Sequence, residues 1–178
     1  SDRTSGGSPS SPADGRTASR IHFNGLNDGS NNETVSLGTA DITFGLHSFE
    51  SFNITGTVGN DVINGQAAAG GNTFYGGDGD DILTGGAGAD VLDGGAGDDT
   101  FHQVGVGDTV IGGAGTDTVS FDMSTATGDL GINLVGGVGF GAPWTGVEFA
   151  TGVLGLGNDT VVAGMQLTYL NGHGGTDR

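Results

Sequence analysis

The chain has 178 residues, 40 of them Gly, and carries 21 Asp and Glu against 4 Arg and no Lys, a net charge of −17 with His neutral. That charge excludes nucleic acid and anionic membrane as partners held by the chain's own electrostatics, and the absence of Cys excludes disulfides, thiolate catalysis and Cys-based zinc sites. Leu, Ile, Val and Phe total 41 residues, just above the ~20% level below which a highly charged chain stays disordered, so a folded state needs a staple from outside, and the acid excess points to a cation.

No apolar run approaches the ~18 residues of a membrane span. Residues 1–20 are rich in Ser, Gly, Pro and Thr, polar rather than signal-peptide-like, and read as a disordered lead-in or linker. Residues 21–55 read as an N-terminal β spacer or cap. There Ile21-His22-Phe23, Asp41–Phe44 and Phe49–Phe52 alternate with polar turns and are expected strands. No window carries a helical period, and Gly interrupts nearly every stretch of ten residues.

Residues 56–120 hold the informative pattern. Written in nines, the sequence reads GGDGDDILT from Gly76, GGAGADVLD from Gly85, GGAGDDTFH from Gly94, QVGVGDTVI from Gln103 and GGAGTDTVS from Gly112. Asp81, Asp90, Asp99, Asp108 and Asp117 thus recur every nine residues. Two positions after each stands an apolar residue: Leu83, Leu92, Phe101, Val110 and Val119. Upstream, GTVGNDVIN places Asp61 and Ile63 in the same slots. Gly65–Tyr75 carries a two-residue insertion with Asn72 in place of Asp, and the Gln103 repeat lacks the leading Gly pair.

A short strand followed by a six-residue turn reverses the chain in nine residues, so two repeats close one flattened coil. Stacked coils pair as parallel strands ~4.8 Å apart, with one inward apolar residue per strand. Turns eighteen residues apart share an edge, which puts Asp61, Asp81, Asp99 and Asp117 on one edge and Asn72, Asp90 and Asp108 on the other. Gly at positions one, two and four is expected to supply left-handed backbone angles and let carbonyls converge on a cation, while the Asp at position six adds a carboxylate. A hard ion with six to eight oxygen ligands at ~2.3–2.6 Å suits this cage, and Mg2+, which resists dehydration, does not.

The nonapeptide G-G-x-G-x-D-x-U-x is the established calcium-binding repeat of RTX proteins, and this region, about a third of the chain, resembles the RTX (hemolysin-type) family of secreted bacterial proteins. The resemblance implies an all-β, right-handed parallel β-roll (a β-helix or solenoid) with calcium-filled turns and β-rich spacer segments. It also implies ligand sets of carbonyls and carboxylates from paired turns. One set is Gly76, Asp78 and Asp81 with Gly95, Gly97 and Asp99. A second is Gly94, Ala96 and Asp99 with Gly113, Gly115 and Asp117. A third sets Gly85, Ala87 and Asp90 against Val104, Val106 and Asp108, where Gly is missing. Asp61 with Asp81, Asn72 with Asp90, and Asp159 with Asp177 complete an expectation of about four to six Ca2+ ions.

A longer duplication is offset by 98 residues. Ile21-His22-Phe23 matches Val119-Ser120-Phe121, Glu50 matches Glu148, and Asn60-Asp61 matches Asn158-Asp159. Residues 121–153 are therefore read as a duplicated β spacer, with Glu50 and Glu148 as turn-capping or auxiliary calcium contacts. Residues 154–178 are read as a second, truncated repeat run in which the beat continues from Asp159 to Asp177.

The adjacent pairs Asp80-Asp81 and Asp98-Asp99 could serve as paired catalytic carboxylates, but the repeat accounts for one member of each and leaves position five to solvent. His22, His47, His102 and His173 share no ligand spacing. Trp144, beside Pro143, Phe140 and Phe149, reads as a core residue, with a sugar-stacking platform as the alternative. The sequence thus leads to a non-catalytic, calcium-binding module that folds on Ca2+ outside the cell and serves as a folding, stability or spacer element. The resemblance implies export by a bacterial type I secretion system to the medium or cell surface. The alternative is a calcium-dependent module binding polysaccharide or cell-surface glycan. A polysaccharide-modifying β-helix enzyme is disfavoured because no Lys or Arg lies between Ile21 and Asp177. Open β-roll ends make self-association an expected property.

Overall fold

The computed structural model describes residues 33–36, 43–47, 51–67, 70–162 and 169–178. The lead-in, the strand expected at Ile21–Phe23, and Glu50 lie outside them. Among the described residues all regular structure is β, as expected. The strands are β1 Glu33–Ser36, β2 Thr43–His47, β3 Phe52–Thr55, β4 Val62–Ala67, β5 Thr73–Asp78, β6 Ile82–Thr84, β7 Val91–Ala96 and β8 Thr100–His102. They continue with β9 Thr109–Ala114, β10 Thr118–Asp122, β11 Gly131–Asn133, β12 Val138–Gly139, β13 Ala142–Thr145, β14 Phe149–Val153, β15 Thr160–Val162 and β16 Tyr169–Asn171.

These strands alternate between two sheets. One has the order β1-β3-β5-β7-β9-β13-β12-β11-β15 and the other β16-β14-β10-β8-β6-β4-β2. Strands adjacent in the nonapeptide region pair in parallel with a register of one coil, for example Leu83 opposite Phe101 and Leu92 opposite Val110. The nine-residue repeat dictates this, because each turn sends the chain to the other sheet and each second turn returns it beside its starting strand. The result is a parallel β-solenoid of the β-roll kind.

The core is a double column of apolar residues, which in the nonapeptides are those two places after each repeat Asp. Ile54, Phe74, Leu92, Val110 and Trp144 stack on one sheet, and Ile63, Leu83, Phe101, Val119 and Ala150 on the other. All are essentially inaccessible. Each aliphatic member contributes roughly 1.5–3 kcal/mol of burial, yet the column is only two side chains wide, so apolar burial per ordered residue is small.

One sheet exceeds the other by two strands, and β11 and β12 account for the difference. In that coil the chain makes an antiparallel meander, β11-β12-β13, where every nonapeptide coil has one strand. Trp144 enters the core column at the end of this meander. Its indole lies edge-on to Phe140, centroids 5.3 Å apart, and Phe140 is edge-on to Phe121 at 5.0 Å. The Trp144 Nε1–H donates to the Asp108 carbonyl at 3.2 Å. Trp144 is thus a buried core residue, and the sugar-platform reading is set aside because no face of the ring is available. The segment after residue 153 joins the same sheets through β15 on β11 and β16 on β14.

Candidate metal centre

Every turn from sheet to sheet in the repeat region ends on its position-six residue, and Asp61, Asp81, Asp90, Asp99, Asp108, Asp117 and Asp159 are all buried. One carboxylate oxygen of Asp81, Asp90, Asp99, Asp108, Asp117, Asp159 and Asp177 serves the neighbouring coil. The Asp61 N–H donates to Asp81 Oδ1 at 2.7 Å, that of Asp81 to Asp99 at 2.8 Å and that of Asp99 to Asp117 at 2.9 Å. On the other edge the N–H of Asn72 donates to Asp90 at 2.6 Å, that of Asp90 to Asp108 at 2.8 Å and that of Asp159 to Asp177 at 3.0 Å. The position-five residues form an exposed counter-ladder in the opposite direction: Asp80 Oδ1 accepts from the Asp98 N–H at 2.9 Å, and Asp98 Oδ1 from the Thr116 N–H at 2.8 Å. The Asp-Asp pairs are therefore two structural ladders side by side.

The second carboxylate oxygen divides the turns into two kinds. In turns 76–81, 85–90, 94–99 and 112–117 the residues at positions two and four are left-handed, with φ of 124° and 114° at Gly77 and Gly79 and similar values in the others. In these four turns Oδ2 of Asp81, Asp90, Asp99 and Asp117 is buried without a hydrogen-bond partner. In the turns that lack left-handed angles at positions two and four, a backbone N–H fills that role. Thr57 donates to Asp61 Oδ2 at 2.5 Å, Gly105 to Asp108 at 2.6 Å and Gly155 to Asp159 at 3.1 Å. With left-handed residues at positions two and four, no N–H of the turn reaches that oxygen. The turn is then open rather than self-capped.

Position one behaves differently from the expectation. Gly76, Gly85, Gly94 and Gly112 do not have left-handed angles. Instead, a Cβ at any of them would strike Oδ2 of the position-six Asp of its own turn. Gly is required there to make room for a carboxylate. At Gly76 the same small space is bounded by the carbonyl oxygen of Gly94, at Gly94 by that of Gly112, and at Gly112 by that of Gly146. An unpartnered carboxylate oxygen and a carbonyl oxygen of the next turn therefore border the same space beside the Gly Cα. Two oxygens so placed are stable only with a proton or a cation beside them, and the oxygen-only donor set suits Ca2+.

Asn72 closes its own gap. Its Nδ2 donates to the Gly85 carbonyl at 3.1 Å and to Asp90 Oδ1 at 3.0 Å, while its Oδ1 accepts from the Phe52 N–H at 3.0 Å. The amide hydrogens stand where the other turns leave two oxygens facing each other.

The electrostatics follow. Burial pushes Asp81 up to about 7 against the Asp61 N–H that stabilises its charge, with Asp99, Asp61 and Asp80 adding repulsion. Burial raises Asp90 and Asp99 to about 6, again opposed by one backbone N–H each. Asp108 and Asp117 are also raised, chiefly by burial, with Glu148 adding to the effect at Asp117.

Of the sequence-predicted residues, Gly76, Asp78 and Asp81 stack on the turn of Gly95, Gly97 and Asp99, and that turn, with Gly94 and Ala96, stacks on the turn of Gly113, Gly115 and Asp117. The Ala96 carbonyl also accepts the Gly79 N–H at 2.7 Å. Gly85, Ala87 and Asp90 form an open turn, but the turn above it is self-capped at Asp108, with Val104 in the core and Val106 exposed. Asp61 and Asp159 lie in self-capped turns. Asp177 is exposed, in a turn where His173 and Gly175 are left-handed, φ 59° and 88°. Among the described residues no group of three or more His, Asp and Glu could hold a metal by side chains alone. Sequence reasoning left Gly146 unnoticed. Its signal is weak, because its turn falls off the nine-residue beat.

Two outcomes follow. The raised carboxylates bind protons more tightly in the folded, metal-free chain than in the unfolded one, so that fold is favoured below their ordinary value of 3.8 and loses stability as pH rises toward about 7. Far-UV circular dichroism in chelator is expected to show strand signal growing as pH falls from about 8 to about 5, and a signal that stays flat or shrinks contradicts this. Asn72→Asp replaces the amide donor with an oxygen facing the Gly85 carbonyl. At fixed limiting calcium it is expected to cost about 1–3 kcal/mol in urea unfolding, and an unchanged midpoint removes the stand-in role.

The profile of the RTX calcium-binding nonapeptide repeat matches the chain in four copies, over residues 53–69, 67–101 and 107–122. Comparison with curated proteins and with solved structures gave no match. The matched stretches span the open turns of both edges. Over those residues the chain therefore carries RTX calcium-binding nonapeptide repeats.

Proposed function

We propose that this chain is a non-catalytic module whose fold is completed by Ca2+, acting outside a bacterial cell as a folding, stability or spacer element of a secreted protein. The observation that carries the reading is the set of four buried, unpartnered carboxylate oxygens in open turns, three of them facing a carbonyl oxygen of the next turn. The residues that would hold the ions are Asp81, Asp99 and Asp117, with carbonyls of Gly76, Asp78, Gly94, Gly95, Ala96, Gly97, Gly113 and Gly115. Asp90, with Gly85 and Ala87, would hold a further one. The self-capped state of Asp61, Asp108 and Asp159 supports a stoichiometry at or below the lower end of four to six. The bound ion supplies charge neutralisation and a rigid link between successive turns. The chain supplies the spacing, the cleared space at position one and the inward carbonyls.

The chain's acidity and thin core support folding coupled to binding, since binding free energy then becomes folding free energy. Such a chain stays unfolded where calcium is scarce and folds where it is plentiful, which suits type I export followed by folding in the medium or at the cell surface. Far-UV circular dichroism at neutral pH is expected to change from a largely unfolded spectrum in EDTA to a strand spectrum in millimolar calcium, the range bound by extracellular modules, and identical spectra would falsify the coupling.

A second reading, calcium-dependent glycan binding, is favoured by a shallow groove on the outer face of the β4-β6-β8-β10 sheet. It is lined by Asn64, Gln66, Thr84, His102, Ser120 and Asp122, a set of hydrogen-bonding groups without Lys or Arg. This composition suits a neutral rather than an acidic sugar. Isothermal titration of the calcium-loaded chain with neutral and uronic oligosaccharides tests it: heat with neutral glycans supports the groove, and none with either class leaves the structural role alone.

A further inference from the structure

We infer that the spacer turn Gly146-Val147-Glu148 completes an additional calcium site with Asp117, so that the ion column on the Asp81-Asp99-Asp117 edge continues past the last nonapeptide. This rests on the reading that the open turns take calcium.

The turn carries no nonapeptide motif, yet its backbone follows the repeat register. Trp144 and Thr145 pair with Val110 and Ile111, so Gly146 falls beside Gly112 in the position-one slot. At the other end Phe149 pairs with Thr118, which puts Glu148 beside Asp117 in the position-six slot. The Phe149 N–H donates to the Asp117 carbonyl at 3.0 Å, as the Thr118 N–H does to that of Asp99 at 2.9 Å. Three residues, Gly146 to Glu148, thus replace the six from Gly112 to Asp117.

Both chemical features of the repeat interval are retained. The Asp117 N–H donates to Glu148 Oε2 at 2.8 Å, the bond that Asp99 makes to Asp117 Oδ1 at 2.9 Å. The extra methylene of Glu reaches across the shortened turn. The space beside Gly112 is bounded by Asp117 Oδ2 and the Gly146 carbonyl, as the space beside Gly94 is bounded by Asp99 Oδ2 and the Gly112 carbonyl. Asp117 is fully buried, and its Oδ2 has no partner. That oxygen is the independent sign of a ligand, since two carboxylates alone would not specify one.

The site would take a hard divalent cation through Asp117, Glu148 and the Gly146 carbonyl. The short turn has no residues equivalent to positions three and four, so water completes the shell, and the site is weaker than those between full turns.

The test uses the full chain. Calcium is titrated by calorimetry into the parent and into Glu148→Gln, which keeps an acceptor for the Asp117 N–H and removes the charge. The expected result is one ion fewer, lost from the weakest phase, with the circular dichroism spectrum in saturating calcium unchanged. Equal stoichiometry overturns the site while leaving the repeat sites standing, whereas a parent that binds no calcium overturns the repeat reading as well. Terbium bound to the unmodified chain supplies a readout that does not depend on the variant's folding. Trp144, the single Trp, precedes the turn, so excitation of tryptophan is expected to sensitise terbium emission, with a late phase that excess calcium reverses first. Terbium binding without that late phase overturns the site.

Discussion

The structure depends on the burial of one carboxylate per turn. Asp81, Asp90, Asp99, Asp108 and Asp117 are withdrawn from solvent, each with one oxygen accepting the N–H of the matching residue a coil away, and this bond fixes the register of each coil on the next. The same burial leaves the other oxygen to be satisfied inside the turn. A buried charge without a partner costs several kcal/mol, and no cationic side chain lies between Ile21 and Asp177 to pair with it. The thin apolar column cannot offset several such charges. Register, acidity and the proposed dependence on a cation are therefore one constraint seen at three scales.

The chain meets that constraint in three chemically distinct ways. Left-handed Gly at positions two and four turns the donors away and leaves Asp81, Asp90, Asp99 and Asp117 open. A non-left-handed turn aims a backbone N–H at the carboxylate, as Thr57 does for Asp61 and Gly155 for Asp159. Replacing the acid with its amide supplies hydrogens directly, as Asn72 does toward Gly85 and Asp90. The difference between a turn that calls for an ion and one that does not thus lies in backbone angle and donor placement, not in the presence of Asp.

This explains which parts were legible in the sequence. The beat of nine from Asp81 to Asp117 sufficed for the β class, the alternation between sheets, the sharing of edges at eighteen residues and the inward column, because each follows from counting along a regular chain. Gly at position one was visible but misattributed: its role is set by where the Asp81 side chain folds back, and sequence records no side-chain path. The self-capping of Asp61, Asp108 and Asp159 was hidden because position six looks the same in every turn. The β11-β12-β13 meander was illegible for a different reason. It adds strands without any periodic residue, and the chain regains register where Trp144 and Thr145 pair with Val110 and Ile111.

The two edges consequently play unequal parts. On the edge of Asp81, Asp99 and Asp117, three successive carboxylates are open, each facing a carbonyl of the next coil, and a column of cations suits their continuous stacking. On the opposite edge the open turn of Asp90 lies between Asn72, which donates hydrogens to it, and Asp108, whose turn is self-capped and whose carbonyl is held by the Trp144 indole. The protein thus supplies most of the satisfaction on that edge from its own groups. Neighbouring coils share each position-six carboxylate on the open edge, so under the proposed function occupancy of one interval would orient a ligand of the next, and cooperative folding would run along that edge.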